Sequence, residues 1–204
     1  MRANEFTAIV DEKIVLAPYR PEHVLRYHEW MQDEALRELT ASEPLSLEEE
    51  YKMQAKWRID GDKLTFIILA RTSGGELATS DIPTLTMIGD VNIFFHGTPE
   101  DQDFEAEVEI MIAEPDYRRK GLASRALQLM LTYATAPDSE PPLPVSKESL
   151  VARIGDRNKA SITLFQKLGF EITKHVAVFE ETELRYTGKG VSSVWLVGEQ
   201  RAYD

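Results

Sequence analysis

Two hydrophobic patterns divide the chain into predicted strands and helices. Short apolar runs rich in β-branched residues predict strands; they occupy residues 13–19, 63–71, 86–96, 104–114 and 149–155, with one more in each of the tail segments 171–186 and 191–199. Apolar residues spaced three and four apart predict amphipathic helices over 22–39, 46–60, 121–136 and 158–169. This order favours a mixed α/β sheet over the strict strand and helix alternation of a dinucleotide-binding fold.

Polar segments with proline and glycine mark where these elements end. Residues 72–84 and 137–147 are predicted to be surface loops, and Ser46 with Glu49 forms the capping-box pattern that begins the second helix. At 204 residues the chain is long enough for one well-buried domain. We therefore expect a single domain over 1–204, with its core at about 13–187.

The composition excludes several classes of protein. With 35 acidic and 23 basic residues, the chain has no general positive field to attract nucleic acid or an anionic membrane. The lack of cysteine excludes disulfides, thiolate metal sites and an acyl-cysteine intermediate. The four histidines lack metal-ligand spacing, so no metal site is predicted. No apolar run resembles a signal peptide or a membrane span, so the expected location is the cytoplasm, or else the nucleus.

Glutamates alternate with apolar residues in the predicted strand 104–114. Glu105, Glu107 and Glu109 therefore share one face of the strand, and this face becomes apolar at Met111. On its own, this pattern also fits a solvated strand edge with ordinary surface charge.

A basic turn precedes the third predicted helix, in the order expected of an anion-binding site. Arg118, Arg119 and Lys120 come directly before Gly121, and the helix follows at once. The first turn of a helix has unpaired backbone N–H groups and the positive end of the helix dipole. Glycine and the small Ala123 let a phosphate approach the backbone. The alternative is a solvated helix start.

The segment Arg118–Ala123 resembles the Arg/Gln-x-x-Gly-x-Gly/Ala signature of the GNAT superfamily of acetyl-CoA-dependent N-acetyltransferases. Residues 158–170, NKASITLFQKLGF, resemble the second conserved segment of that superfamily. The stretches LTASEPLSLEEEY, GDVNIFF, EVEIMIAEP and LFQKLGFE are similar to its N-acetyltransferase 9-like branch, which is close to the bacterial ribosomal-protein alanine acetyltransferases. The resemblance runs from about Lys13 to Tyr186. It implies an α/β acyl-CoA N-acyltransferase domain whose central twisted sheet is mostly antiparallel and flanked by helices.

The resemblance also implies how acetyl-CoA is held. Its pyrophosphate is expected on the backbone N–H groups of Arg118, Arg119, Lys120, Gly121, Leu122 and Ala123. Its pantetheine amides are expected to pair, like an added strand, with the backbone of Met111, Ile112 and Ala113. Further contacts are expected from Phe165 and from Asn158, which also caps its helix.

The chemistry needs an uncharged amine and a polarised thioester carbonyl. Without cysteine, direct transfer in a ternary complex is the expected mechanism. For the base, the resemblance implies Glu107, which lies four residues before Met111, where some GNAT enzymes carry a strand glutamate that accepts the amine proton. Glu109, on the same strand face, is a second candidate, and Glu180, which resembles the glutamate of the ribosomal-protein branch, is a rival base. Ser161 matches a serine of that branch and is a candidate to hydrogen-bond the sulfur; its alternative role is polarity at the helix start. Phe165 replaces the proton-donating tyrosine of many GNAT enzymes.

Three alternatives remain for the biological role. A protein N-terminus fits as acceptor because its α-amino group has a pKa of about 8, against about 10.4 for lysine; the resemblance implies tubulin, whose α and β N-termini are associated with the N-acetyltransferase 9-like branch. A small amine or polyamine fits the acidic composition. The third alternative is a microtubule-associated module that binds acetyl-CoA without turnover.

The acceptor groove is expected to be walled by segments 36–46 and 179–190. The sequence specifies no oligomeric state.

Overall fold

One nine-stranded sheet organises the part of the chain that the structure, a computed structural model, describes: residues 1–71, 75–139, 143–189 and 194–203. Its strands are β1 (Thr7–Val10), β2 (Ile14–Pro18), β3 (Lys63–Ala70), β4 (Thr86–His96), β5 (Glu105–Ile112), β6 (Leu150–Gly155), β7 (Phe170–Val176), β8 (Glu181–Tyr186) and β9 (Glu199–Ala202). The α-helices are α1 (Val24–Trp30), α2 (Glu34–Leu39), α3 (Leu47–Ile59), α4 (Leu122–Ala134) and α5 (Lys159–Lys167).

The strand order is β7-β8-β6-β5-β4-β3-β2-β1-β9, and the neighbours are antiparallel except for β5 and β6. This confirms the predicted mixed, mostly antiparallel sheet. The crossover through α4 makes β5 and β6 parallel. Their pairing covers only Ala106 with Leu150 and Glu107 with Val151, although β5 stays paired with β4 as far as Ile112. The sheet therefore opens between β5 and β6 beyond Glu107.

Helices cover both faces of the sheet because its central strands are apolar on both sides. Leu127 of α4 and Phe165 of α5 belong to one buried cluster, together with Val108 of β5. Tyr27 of α1 belongs to the cluster on the other face, together with Met111 of β5. Since alternate residues of a strand face the same way, Glu107 and Glu109 lie on the α1 side with Met111.

The single helix predicted over 22–39 is wrong, because the chain turns after Met31. The side chain of Asp33 accepts hydrogen bonds from the backbone N–H groups of Ala35, at 3.0 Å, and Leu36, at 3.4 Å. An aspartate at this position starts a new helix, and its cap outweighs the continuous apolar period. The new helix, α2, leads directly into the segment that walls the groove described below.

The strand predictions also differ from the structure at both ends of the chain. β1 and β9 lie outside 13–187 and pair with each other. The segment 171–186 contains β7 and β8 joined by a turn, where one strand was predicted. Residues 194–198 of the predicted strand 191–199 belong to no strand, and residues 191–193 lie outside the described ranges.

The two predicted loops are anchored where the structure describes them. Ile82, in a 3-10 helix at Thr79–Thr84, is fully buried, and Leu143 and Val145 are also buried. Apolar side chains therefore fix parts of both segments against the core. Residues 72–74 and 140–142 of these loops lie outside the described ranges.

Gly89 of β4 occupies a position with no room for a side chain. A Cβ at this position would lie 2.0 Å from the carbonyl oxygen of Met111. Because this oxygen belongs to the backbone of β5, only a shift of the strand relieves the overlap. We expect Gly89→Ala to lower the free energy of unfolding by about 3 kcal/mol in urea titrations. Gly61→Ala, with no atom within 4 Å of its new Cβ, is the control; equal stabilities would contradict the close approach of β4 to β5.

Candidate active site

A groove of about 780 Å³ lies on the α1 side of the sheet, beside the opening between β5 and β6. Its floor consists of side chains from β4 and β5, including Asp90, Asn92, Glu107 and Glu109. The groove has two walls: residues 38–42, at the end of α2 and just after it, and residues 179–181, at the β7–β8 turn. Both segments fall within the predicted acceptor walls. Ser161 and Phe165 lie at the α5 end. The groove thus brings together the candidate residues of β5, α5 and the β7–β8 turn.

The two strand glutamates differ in their partners. Glu107 accepts a hydrogen bond from the Arg153 guanidinium at 2.8 Å, and its carboxylate lies 3.0 Å from His96 Nε2. The carboxyl group of Glu109 makes no hydrogen bond or ion pair with any residue of the described ranges. Burial, with the charges of Glu107 and Asp90, raises the pKa of Glu109 to about 7. A carboxyl group poised near neutral pH and lacking a counter-ion is suited to accept a proton, so the geometry favours Glu109 over Glu107.

Arg153 of β6 engages Glu107 as part of an ion-pair network. Its guanidinium lies 2.5 Å from Glu105, 2.8 Å from Glu107 and 3.2 Å from Glu183. The network joins β5, β6 and β8 next to the point where the sheet opens. The sequence signal for it is an arginine inside the otherwise apolar run LVARIG, which sequence analysis did not single out.

β4 contributes a buried polar group that sequence analysis also missed. Asp90 is only 2% exposed and accepts hydrogen bonds from Tyr27 Oη at 3.3 Å and from Asn92 Nδ2 at 2.9 Å. Burial raises the pKa of Asp90 to about 6, against the effect of these two hydrogen bonds. In the β4–β5 ladder, Asn92 lies opposite Glu109 and Asp90 lies opposite Met111. The signal was two polar residues spaced two apart in an apolar strand.

The remaining catalytic candidates lie at the edge of the groove. The side chain of Glu180 is 70% exposed and lies 3.5 Å from Arg157. The backbone N–H of Ser161 donates to Asn158 Oδ1 at 3.1 Å, which confirms Asn158 as the cap of α5. The Ser161 hydroxyl has no hydrogen-bond partner among the described residues, so it is available to a ligand in the groove.

The basic turn before α4 offers a run of backbone donors. Gly121 is the N-cap of α4 and is left-handed, with φ 77°. The backbone N–H groups of residues 119–124 have no acceptor in the part of the chain that the structure describes. The Arg118 N–H differs, because it donates to the carbonyl of Pro115 at 3.1 Å. The Arg118 N–H is therefore engaged within the protein, the available donors of the described residues begin at Arg119, and contact of Arg118 with the pyrophosphate stays a prediction.

The end of β5, expected to pair with pantetheine, is partly bonded within the protein. The Ala113 N–H donates to the Ile88 carbonyl at 2.9 Å. The Arg118 guanidinium donates to the carbonyls of Ile112, at 2.8 Å, and Ala113, at 2.9 Å. A ligand amide that donates to the carbonyl of Ile112 or Ala113 must displace the Arg118 guanidinium from it. Contact of Met111, Ile112 and Ala113 with the cofactor stays a prediction.

Phe165 forms part of the inner end of the groove. It is 1% exposed and packs edge-on against Phe170, with ring centroids 5.1 Å apart. The position therefore carries a fixed apolar ring, and its expected contact with the cofactor also stays a prediction.

Two other kinds of site are absent from the described ranges. No group of three or more histidine, aspartate or glutamate side chains there could hold a metal ion. No helix in the same ranges is both long and apolar enough to span a membrane.

Comparison with known proteins identifies the class to which this fold and groove belong. Residues 13–171 match the family described as "Acetyltransferase (GNAT) domain", and the chain belongs to this family of acetyltransferases. It is 46% identical over 185 residues to alpha/beta-tubulin-N-acetyltransferase 9 of Drosophila melanogaster, covering 90% of this chain and 88% of the relative. It is 44% identical over 200 residues to the Homo sapiens protein of the same name, covering 97% and 91%. The resemblance to N-acetyltransferase 9 and the predicted N-acetyltransferase class are confirmed.

The fold is also similar to that of a solved bacterial acetyltransferase. The crystal structure of spermidine N-acetyltransferase from Vibrio cholerae, in complex with CoA and spermine, superposes with a TM-score of 0.66. The match covers 86% of this chain and 94% of that chain at 17% identity. At this identity the likeness supports the shared fold alone.

Proposed function

We propose that this chain transfers the acetyl group of acetyl-CoA directly to the N-terminal α-amine of a protein, with the N-termini of α- and β-tubulin as the first acceptors to test. The observation that carries the proposal is the Glu109 carboxyl group, which lies on the groove floor without a partner in the part of the chain that the structure describes. Burial raises its pKa to about 7. The names of the fly and human relatives support tubulin.

The residues present fit acetyl-CoA. The backbone donors of residues 119–124 and the positive end of the α4 dipole would hold its pyrophosphate. No atom lies within 4 Å of a Cβ built on Gly121, so the turn is open to a phosphate. The edge of β5 beyond Glu107, which β6 leaves unpaired, would face the pantetheine. Acetyl-CoA, when bound, supplies the thioester carbonyl that the acceptor amine attacks.

The chain's own residues then manage the proton and the leaving group. Glu109 accepts the proton that the acceptor ammonium must lose. The nitrogen lone pair forms the new bond to the acetyl carbon, the carbon–sulfur bond breaks, and its electrons leave with the sulfur. The second proton, which the nitrogen loses as the amide forms, goes to the departing thiolate or to solvent. The Ser161 hydroxyl, which lines the groove, would donate a hydrogen bond to the sulfur. A coenzyme A thiolate needs no stronger acid near neutral pH, which is consistent with phenylalanine at position 165.

The walls of the groove favour a peptide. Leu39 on one wall is 58% exposed, and Phe179 on the other is 70% exposed. Exposed apolar side chains that face a groove provide contacts for the residues of an extended chain. A polyamine is the second candidate. Among the described residues, seven carboxylates and two guanidinium groups line the groove, and this balance favours a cationic acceptor.

The test is coenzyme A release from acetyl-CoA by the purified protein. The panel contains intact tubulin, peptides with free N-termini, including tubulin-like ones, the same peptides with blocked N-termini, and polyamines. Mass spectrometry locates the acetyl group. We expect turnover only with free peptide N-termini. Turnover on polyamines alone would replace the proposed acceptor with the second candidate. Tight acetyl-CoA binding without turnover on any acceptor, intact tubulin included, would contradict the catalytic role and favour a binding module.

A further inference from the structure

Three hydrogen-bond acceptors meet on the groove floor without a cation among them. Asp90 and Glu109 are carboxyl groups, and neither has a positively charged side chain within ion-pair distance in the described part of the chain. Asn92 is 5% exposed, and its Oδ1 is buried without a hydrogen-bond partner. All three side chains line the groove.

The arrangement of Asn92 is fixed by its neighbour. Its Nδ2 donates to Asp90 Oδ2 at 2.9 Å, and a carboxylate can only accept, so the amide oxygen must be the atom without a partner. Asn92 and Glu109 are directly opposite each other across β4 and β5, which puts their Cβ atoms about 5 Å apart on one face. Asp90 is two residues along the same face.

The described neighbours supply one further hydrogen bond to this cluster but no positive charge. Tyr27 Oη, from α1, donates to Asp90. Glu107, the next carboxylate on β5, is engaged by Arg153 and His96. A buried acceptor without a donor is costly, and a buried carboxylate without a counter-ion, such as Asp90 among the described residues, is more so. A group that brings both positive charge and several N–H donors would satisfy all three side chains.

A primary ammonium group has these properties, since it carries one positive charge and three N–H donors. We propose that Asp90, Asn92 and Glu109 form a receptor for the acceptor's primary ammonium group, which binds charged and then gives one proton to Glu109. This inference deepens the proposed function and rests on it. Asp90 and Asn92 are specificity-determining residues of the receptor, and Glu109 is its catalytic residue.

The receptor requires that charge and N–H count decide binding. We would measure calorimetrically the binding of three peptides to the protein saturated with coenzyme A, where no turnover occurs. The peptides share one sequence and carry a primary α-amine, an N-methyl α-amine, or hydrogen in place of the amine. We expect the primary amine to bind at least 10-fold more tightly than the des-amino peptide, with the N-methyl peptide between them.

Asp90→Asn tests the residue assignment because it removes the charge and keeps the shape. We expect it to reduce the preference for the primary amine over the des-amino peptide by at least 5-fold. The control is Glu48→Gln, which removes an exposed carboxylate of α3 that does not line the groove and should leave the preference unchanged. Equal binding of the three peptides to the unmodified protein would overturn the receptor even if Asp90→Asn failed to fold, as would an unchanged preference in a folded Asp90→Asn variant.

The outcomes separate the receptor from the proposed function. Turnover on peptides without any preference for an ammonium in the binding experiment would remove the receptor and leave the acetyltransferase. A preference that depends on Asp90, found without turnover on any acceptor, would remove the proposed catalytic function and leave an ammonium-binding groove.

Discussion

Glu109→Gln is expected to lower kcat roughly 100- to 1,000-fold while leaving the dissociation constant for acetyl-CoA unchanged. The glutamine keeps the size of the side chain but cannot accept a proton, and general base catalysis contributes rate factors of about this size. Steady-state rates of coenzyme A release, beside calorimetric titration with acetyl-CoA, measure the two quantities separately.

Two observations distinguish this loss from damage to the fold. Burial raises the folded-state pKa of Glu109 to about 7, above the value of about 4.3 expected in the unfolded chain. The ionised group therefore destabilises the folded state fully above pH 7, and this destabilisation is lost as the pH falls from about 7 to about 4. Glu109→Gln should therefore melt at the same or a higher temperature than the unmodified protein at pH 8. Glu180→Gln, at the exposed edge of the groove, is the matched control and should retain kcat within about 3-fold. A large loss in Glu180→Gln with little in Glu109→Gln would assign the base to Glu180 instead.

Ala123→Glu is expected to weaken acetyl-CoA binding about 100-fold. Ala123 lies in the first turn of α4, among the backbone donors proposed for the pyrophosphate. A carboxylate there would repel the phosphates in a site that depends on local positive charge. The same carboxylate interacts favourably with the helix dipole, so the helix itself should gain about 0.5 kcal/mol. Weaker binding combined with unchanged or higher stability is therefore the expected signature.

Ala123→Gln is the control for the size of the new side chain. We expect it to bind acetyl-CoA at least 10-fold more tightly than Ala123→Glu, because it fills similar space without charge. If both variants bound as the unmodified protein does, the pyrophosphate would have to lie elsewhere, and the role given to the turn at residues 119–124 would be wrong.

The features that sequence reasoning predicted well are those set by short-range physics. The apolar period and the left-handed glycine at position 121 are enough to start α4, and the reciprocal bonds of Ser46 and Glu49 confirm the capping box of α3. Alternation was also enough to put Glu107 and Glu109 on one strand face. β9 was missed because three of its four residues are polar and the fourth is alanine, and because its pairing partner, β1, is almost 200 positions away in the chain.

The division of roles within the site could not be read from one strand. Glu107 and Glu109 are equivalent by alternation. They differ because Arg153 of β6 and His96 of β4 contact Glu107 but not Glu109. In the sequence, Asp90 is a polar residue in an apolar strand, and only the β4–β5 ladder shows that it lies close to Glu109. The state of a carboxyl group thus depends on neighbours from other strands, which hydrophobic patterning does not place.

The most direct measurement of the central claim is the titration of Glu109 itself. In protein labelled with carbon-13 at the glutamate carboxyl groups, the resonance missing from Glu109→Gln identifies this residue, and its chemical shift can be followed from pH 4 to pH 9. We predict a midpoint near pH 7, with the carboxyl group protonated below it and able to accept a proton above it. A midpoint near the ordinary glutamate value of about 4.3 would show a solvated or paired carboxylate and would contradict Glu109 as the base poised in this groove.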